Sequence, residues 1–207
     1  MTVLLIATAG PVFAQTPLPA ADESVLADRR LAAGYIRTGN ADLAALALER
    51  LMKSLGQPYA ARAKAALAAV DDGDLQAAGQ ETEALAADLA AARRAAGRRV
   101  LADCVGELVD IYAALDQHRT RAPDLGDGSL RAAITSAAAA SDAAFARCDG
   151  EAPAAVKTDP DFRRLVDGAR ASLDRLPAAV AAGDGELLHR FLIELRAFEQ
   201  LLRFRYG

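Results

Sequence analysis

At 207 residues and a formal net charge of −4, the chain has room for one domain or two small helical subdomains, and it lacks the basic excess of a general nucleic-acid binder. Hydrophobic residues make up 53%, but many are alanine, aromatics are only 5% and tryptophan is absent, which excludes a large aromatic core and favours closely packed helices. Strand-forming runs of Val, Ile and Thr are nearly missing, so the expected fold class is all-α.

Residues 1–14, MTVLLIATAGPVFA, form an apolar run, with Val12, Phe13 and Ala14 preceding Gln15. That pattern predicts a signal peptide cut after Ala14, and therefore a periplasmic or secreted protein, although no Lys or Arg precedes the run. The run is too short to span a bilayer. No later stretch is both long and apolar, so no stable membrane insertion is expected after cleavage. Residues 15–21 read as a linker.

Residues 22–96 read as helical hairpins. The first helix starts near Asp22, carries Leu26, Leu31, Tyr35 and Ile36, and breaks at Thr38-Gly39-Asn40. A second spans 42–55 with Leu43, Leu46, Leu48, Leu51 and Leu55, and Gly56 and Pro58 end it. A third covers 59–70, an acidic turn follows at 71–74, and a fourth begins at Leu75 and reaches about Ala96. Gly39 and Gly73 stand 34 residues apart, and Tyr35, Gly39 and Ala44 are followed at the same offsets by Ala69, Gly73 and Ala78. On these positions, residues 22–90 resemble a pair of tetratricopeptide-like hairpins, without that repeat's early tryptophan and without the tyrosine in the second copy. The resemblance covers about a third of the chain. It implies a protein-interaction surface, with the remainder capping the two repeats.

Residues 98–207 read as a C-terminal bundle packed on the first region as one unit. Leu101, Cys104, Leu108, Ile111 and Leu115 repeat at spacings of 3, 4, 3 and 4, with Val105 and Tyr112 widening the stripe. Gly97 either separates this helix from the one before or bends a single helix over 74–117; the residues leave both open. A loop at 119–128 leads to a helix over 129–148 with Leu130, Ile134, Ala137, Ser141, Phe145 and Cys148 on one face. Ser141 is tolerated there because its hydroxyl can bond back one turn. Asp149-Gly150 reads as the end of that helix and 151–159 as a linker. Asp159-Pro160 starts the next helix, which runs to Leu176, where Pro177 kinks it or opens a short continuation to 182. After Gly183-Asp184-Gly185, the last helix holds Leu187, Leu188, Phe191, Leu192, Leu195, Phe198, Leu201, Leu202 and Phe204. It is expected to staple the C-terminal core. The aromatics at Phe204 and Tyr206 are expected to pack on the chain itself.

Cys104 and Cys148 are the two cysteines. In an antiparallel hairpin their midpoint, residue 126, falls in the loop, so both lie near one end and an export compartment favours a crossbridge. No Cys-x-x-Cys or Cys-x-x-Cys-His occurs, so neither a redox pair nor covalent c-type haem is expected. His118, the other histidine His189, and one Glu-x-x-His pair, Glu186 to His189, fall short of a zinc or di-iron ligand set. No metal site, cofactor or catalytic constellation is therefore expected.

The cluster Arg93, Arg94, Arg98 and Arg99 is the candidate site, for a phosphate, a carboxylate or an acidic partner. Arg94 and Arg98 share a face if the helix continues through Gly97. The plainer reading pairs the cluster with Asp88, Glu107 or other helices. The remaining arginines, including Arg119, Arg121, Arg163, Arg164 and Arg170, read as solvated faces. These features together predict six to eight helices in antiparallel hairpins, forming a bundle or short repeat array. The function they favour is an exported, non-catalytic scaffold or interaction module with a protein or peptide partner. The alternative is a small-ligand or cofactor-binding bundle with its pocket near the arginines.

Overall fold

A computed structural model describes residues 23–207; the signal peptide expected at 1–14 and the linker at 15–21 lie outside the described residues. The described chain is all-α. Its helices are α1 (Glu23–Arg37), α2 (Ala41–Ser54), α3 (Tyr59–Asp71), α4 (Leu75–Ala95), α5 (Leu101–Asp116), α6 (Gly128–Glu151), α7 (Ala154–Lys157), α8 (Pro160–Ala182) and α9 (Gly185–Tyr206). A short 3-10 turn, Gln117–Arg119, follows α5.

One hinge is used three times. Gly39, Gly73 and Gly183 take φ of +77°, +77° and +68°, a region only glycine enters cheaply, and each ends a helix. The next residue, Asn40, Asp74 or Asp184, donates its main-chain N–H to Tyr35, Ala69 or Ala179 at 2.9, 2.8 or 3.0 Å. Its side-chain oxygen then accepts from the N–H of Leu43, Ala77 or Leu187, capping the following helix. Core positions keep the same register. Ala32, Ile36, Ala44, Leu48, Leu51 and Leu55 recur as Ala66, Val70, Ala78, Thr82, Leu85 and Leu89, and again as Leu176, Val180, Leu188, Leu192, Leu195 and Glu199. All eighteen are buried. The third copy, α8–α9, has no counterpart in the sequence reading.

The helices close into two rings. In the first, α1 packs on α2, α2 on α3, α3 on α4, and α4 returns to α1. In the second, α5 packs on α6, α6 on α8, α8 on α9, and α9 returns to α5. Each ring encloses its own core, one from Val25 to Leu89 and one from Cys104 to Leu202. The rings meet where α1 touches α9. The 34-residue correspondence therefore sits inside antiparallel helix packing. Cys104 and Cys148 lie near one end of the α5–α6 hairpin, fully buried, with Cα atoms 5.5 Å apart and sulfurs 2.10 Å apart, bonding distance for a disulfide.

Several local expectations change. Gly97, at φ +61°, splits α4 from α5, so 74–117 is two helices. Gly150 does not end α6; it keeps a negative φ, and the helix continues to Glu151 while Asp149 pairs with Arg163. The stretch 151–159 holds a turn of helix, α7, begun at Pro153, whose carbonyl accepts from Val156 and Lys157. Pro177 stands inside α8, which runs on as one helix to Ala182, the end expected for a continuation. It lies on the exposed face, and the buried Leu176, Ala179 and Val180 hold the helix to Ala182. Ser141 donates to the Ala137 carbonyl at 2.8 Å, one turn back, as its position on the packed face requires.

Candidate functional site

A cavity of about 600 Å³ opens where α1, α4, α5 and α9 come together. It exists because the facing positions are small: Ala86, Ala87 and Ala90 on α4, Ala102 and Gly106 on α5. Six arginines line it (Arg29, Arg93, Arg94, Arg98, Arg99 and Arg203) against four side-chain carboxylates, Glu83, Asp103, Glu107 and Asp110, and the carboxylate of the last residue, Gly207. All four arginines of the sequence cluster are thus brought to one cleft.

They do not play one role. Arg93 is 4% exposed and holds Asp103 through Nε at 3.0 Å to each oxygen and Nη2 at 2.5 Å. Asp103 also accepts from the Val100 N–H at 3.1 Å and so caps α5. Arg99 grips Glu107 at 2.5 and 2.9 Å and Glu151 at 2.7 Å, which raises its pKa and lowers that of Glu107. These two arginines tie helix ends together. The partner Asp88 suggested from sequence pairs instead with Arg62 at 2.5 Å. Because α4 stops before Gly97, Arg94 and Arg98 do not share a helix face; both are exposed at the cleft, and among the described residues neither has an ion-pair partner.

Sequence reasoning missed Arg29. It lies on α1, far along the chain from the cluster, and only the ring packing brings it in. Its Nη2 donates to a carboxylate oxygen of Gly207, the last residue of the chain, at 2.5 Å. Burial, reinforced by Arg30, Arg203 and Arg93 and opposed by Glu83, pulls its pKa down to about 10. Arg203 approaches Glu83 at 3.6 Å.

A second cavity of about 610 Å³ runs between α1 and α9 on the other side of their contact. Leu31, Gly34, Tyr35, Ala197, Leu201 and Phe204 give it an apolar wall, and Arg37, Arg196 and Arg203 rim it. Gly34 permits the close approach: a Cβ there would stand 2.7 Å from the Phe204 ring. The wall belongs to a stripe along α9, in which Ile193, Leu201 and Phe204 are 50%, 46% and 42% exposed and Ala197 is exposed between them. At 100° per residue this stripe faces opposite to the core residues Leu188, Leu192, Leu195 and Leu202. Beneath the groove, Glu199 is 1% exposed; its Oε2 accepts from Arg196 at 3.0 Å, its Oε1 has no hydrogen-bond partner among the described residues, and burial raises its pKa.

The other candidates separate. Tyr206 packs at home, edge-on against Phe162 at 5.1 Å with its hydroxyl donating to Asp159 at 2.9 Å; burial and that bond raise its pKa to about 12. Phe204 stays exposed, with the Arg37 guanidinium 5.8 Å from its ring centre. Arg119 pairs with Asp116, Arg163 with Asp149 and Asp167, Arg164 with Asp161, and Arg170 with Asp142. His118 sits in the 3-10 turn and His189 in α9. Among the described residues, no group of three or more His, Cys, Asp or Glu converges as a metal site, and no helix is long and apolar enough to cross a membrane. Comparison with protein families, curated proteins and solved structures gave no match.

Proposed function

We propose that this chain is an exported, non-catalytic interaction module whose α1–α9 groove receives an amphipathic helix of a partner protein. The apolar stripe Ile193, Ala197, Leu201, Phe204 carries the reading, because it is a second hydrophobic face on a helix whose first face already fills the core. The rim Arg37, Arg196 and Arg203 selects the partner's chemistry: an apolar face flanked by Asp or Glu. The tetratricopeptide-like hairpins of the sequence would favour the same class of role. The closed first ring, in which α1 packs on α4, counts against the open stacking of a solenoid, so the surface proposed is the groove and not the hairpin faces.

Leu201→Asp tests it, since the residue is 46% exposed and lies outside the buried core. A partner retained by the native chain from a periplasmic extract, and lost by the variant, supports the reading. Retention of the same partner by both overturns it. Sedimentation of the purified chain separates the third outcome: a dimer that the variant breaks assigns the groove to a second copy of this chain. A second reading, ligand binding within the molecule, is favoured by the arginine cleft.

A further inference from the structure

We infer that Glu199 is the recognition residue at the floor of the α1–α9 groove, where it takes one neutral hydrogen-bonding side chain, a carboxamide or a hydroxyl, set within the apolar face of the partner helix. The inference rests on the groove reading above and names what that groove selects. Its basis is the register of the hinged hairpins. Leu55, Leu89 and Glu199 follow Gly39, Gly73 and Gly183 at the same interval, and all three are buried, at 6%, 0% and 1% exposure. Leucine satisfies the packing in two copies, so packing gives no reason for a carboxyl in the third. A buried carboxyl is costly unless both oxygens are matched. Here Oε2 accepts from Arg196 at 3.0 Å, while Oε1 has no hydrogen-bond partner among the described residues. Leu55 and Leu89 belong to the core of the first ring, whereas Glu199 lines the groove cavity beside Ala197, Leu201 and Phe204 of the apolar stripe. The exchange of leucine for a carboxyl thus falls where the shared register meets the groove.

Charge decides what the carboxyl can receive. Arg196 already pairs with Glu199 and approaches Asp116 at 3.6 Å, and Arg37 and Arg203 line the same cavity. A lysine or arginine entering the floor would meet those guanidiniums, and an acid would meet Glu199 itself. A neutral amide or hydroxyl meets neither repulsion. It donates to a carboxylate and accepts from a carboxylic acid, so it suits a group whose proton affinity burial raises. The last torsion of a glutamate is soft, and a turn about it brings Oε1 toward the cavity that the residue already lines. One polar contact inside an apolar seam fixes register, as a single buried asparagine does in a coiled coil. Glu199 therefore sets which turn of the partner helix lies over Ala197.

The probe is a set of labelled synthetic amphipathic peptides, each with a leucine face flanked by Asp and Glu. The parent keeps leucine throughout that face, and each other peptide carries Gln or Lys at one face position. Fluorescence anisotropy with the full chain gives the affinities. The native chain should prefer Gln to Leu at one position only. Glu199→Leu, which places there the residue of the other two hairpins, should keep its cooperative melt and prefer the parent at that position. The ratio of Gln-peptide to parent affinity should differ by about tenfold or more between the two proteins. The inference is overturned if the native chain binds the parent as well as every Gln peptide, a result that needs no variant. It is overturned too if Glu199→Leu keeps the native preference, or if a Lys peptide binds tightest. Those failures leave the groove reading in place so long as Leu201→Asp weakens the parent peptide. Absence of binding by every peptide, or parent binding that Leu201→Asp does not weaken, removes the groove reading and this inference with it.

Discussion

Reducing the Cys104–Cys148 pair should destabilise the second ring and leave the first nearly untouched. The crossbridge closes a loop with a sequence separation of 44 residues. In the chain-entropy account, such a loop restricts the unfolded state by about 4 kcal/mol. Both sulfur positions are fully buried among Leu, Ile and Phe side chains, and two thiols fit there as small hydrophobes, so reduction removes the tether and little packing. For a helical unit of this size, the loss lowers the melting temperature on the order of 10 °C or more. Scanning calorimetry with and without reductant measures it. The core from Val25 to Leu89 contains no cysteine, so a transition belonging to α1–α4 should stay in place while the α5–α9 transition moves. Cys104→Ala with Cys148→Ala should reproduce the shift. Identical melts of oxidised and reduced protein would refute the reasoning, as would alkylation of both cysteines in unreduced, denatured protein recovered from outside the cytoplasm.

Three further outcomes follow from the packing. Asp103→Ala strips the buried Arg93 of its bidentate carboxylate and α5 of its cap, and should cost about 3–5 kcal/mol in urea denaturation; a loss under about 1 kcal/mol would mean the pair is not structural. Glu199 has a folded pKa raised by burial, so the folded state holds the proton more tightly than the unfolded one. Stability should therefore fall as pH rises from the unfolded value through the raised one. Glu199→Gln should flatten that dependence and match or exceed the native stability at pH 7; parallel stability–pH curves for the two proteins would contradict it. A chain ending at residue 185 loses Leu188, Leu192, Leu195 and Leu202 from the core, about 1.5–3 kcal/mol of burial apiece, and should give no cooperative transition for α5–α8; a folded, soluble product would sink the reading of α9 as the staple.

Features decided within one turn of backbone were legible. Gly39, Gly73 and Gly183 sit where a positive φ is needed, each followed by Asn or Asp able to cap, so three hinges could be read from local chemistry. Cys104 and Cys148 could be paired because hairpin symmetry about the loop is arithmetic. Features decided by packing were not. Pro177 reads equally as a kink or as the start of a continuation, and only the three buried neighbours Leu176, Ala179 and Val180 decide for one helix to Ala182. Arg93, Arg94, Arg98 and Arg99 look like one patch, but the turn at Gly97 sends Arg93 inward to Asp103 and swings Arg99 to Glu107 and to Glu151, 52 positions away. Arg29, which completes the cleft, carries no local signal at all.

Alignment of the three hinged hairpins separates what the fold needs in α9 from what it does not. The buried register, Ala44, Leu48 and Leu51, then Ala78, Thr82 and Leu85, then Leu188, Leu192 and Leu195, is shared because each ring must fill its centre. The outward register is not shared. Where α9 has Ile193 and Ala197, the first hairpin has Glu49 and Lys53 before α2 ends at Ser54; where α9 has Ile193, Ala197, Leu201 and Phe204, α4 of the second has Glu83, Ala87, Ala91 and Arg94. The same hairpin thus packs with charged or small residues on that face, and apolar side chains there add nothing to the core. Two large aliphatics and a phenylalanine held in water along one face of a helix are a cost to solubility, and in this molecule the α1–α9 groove is where a partner would offset it.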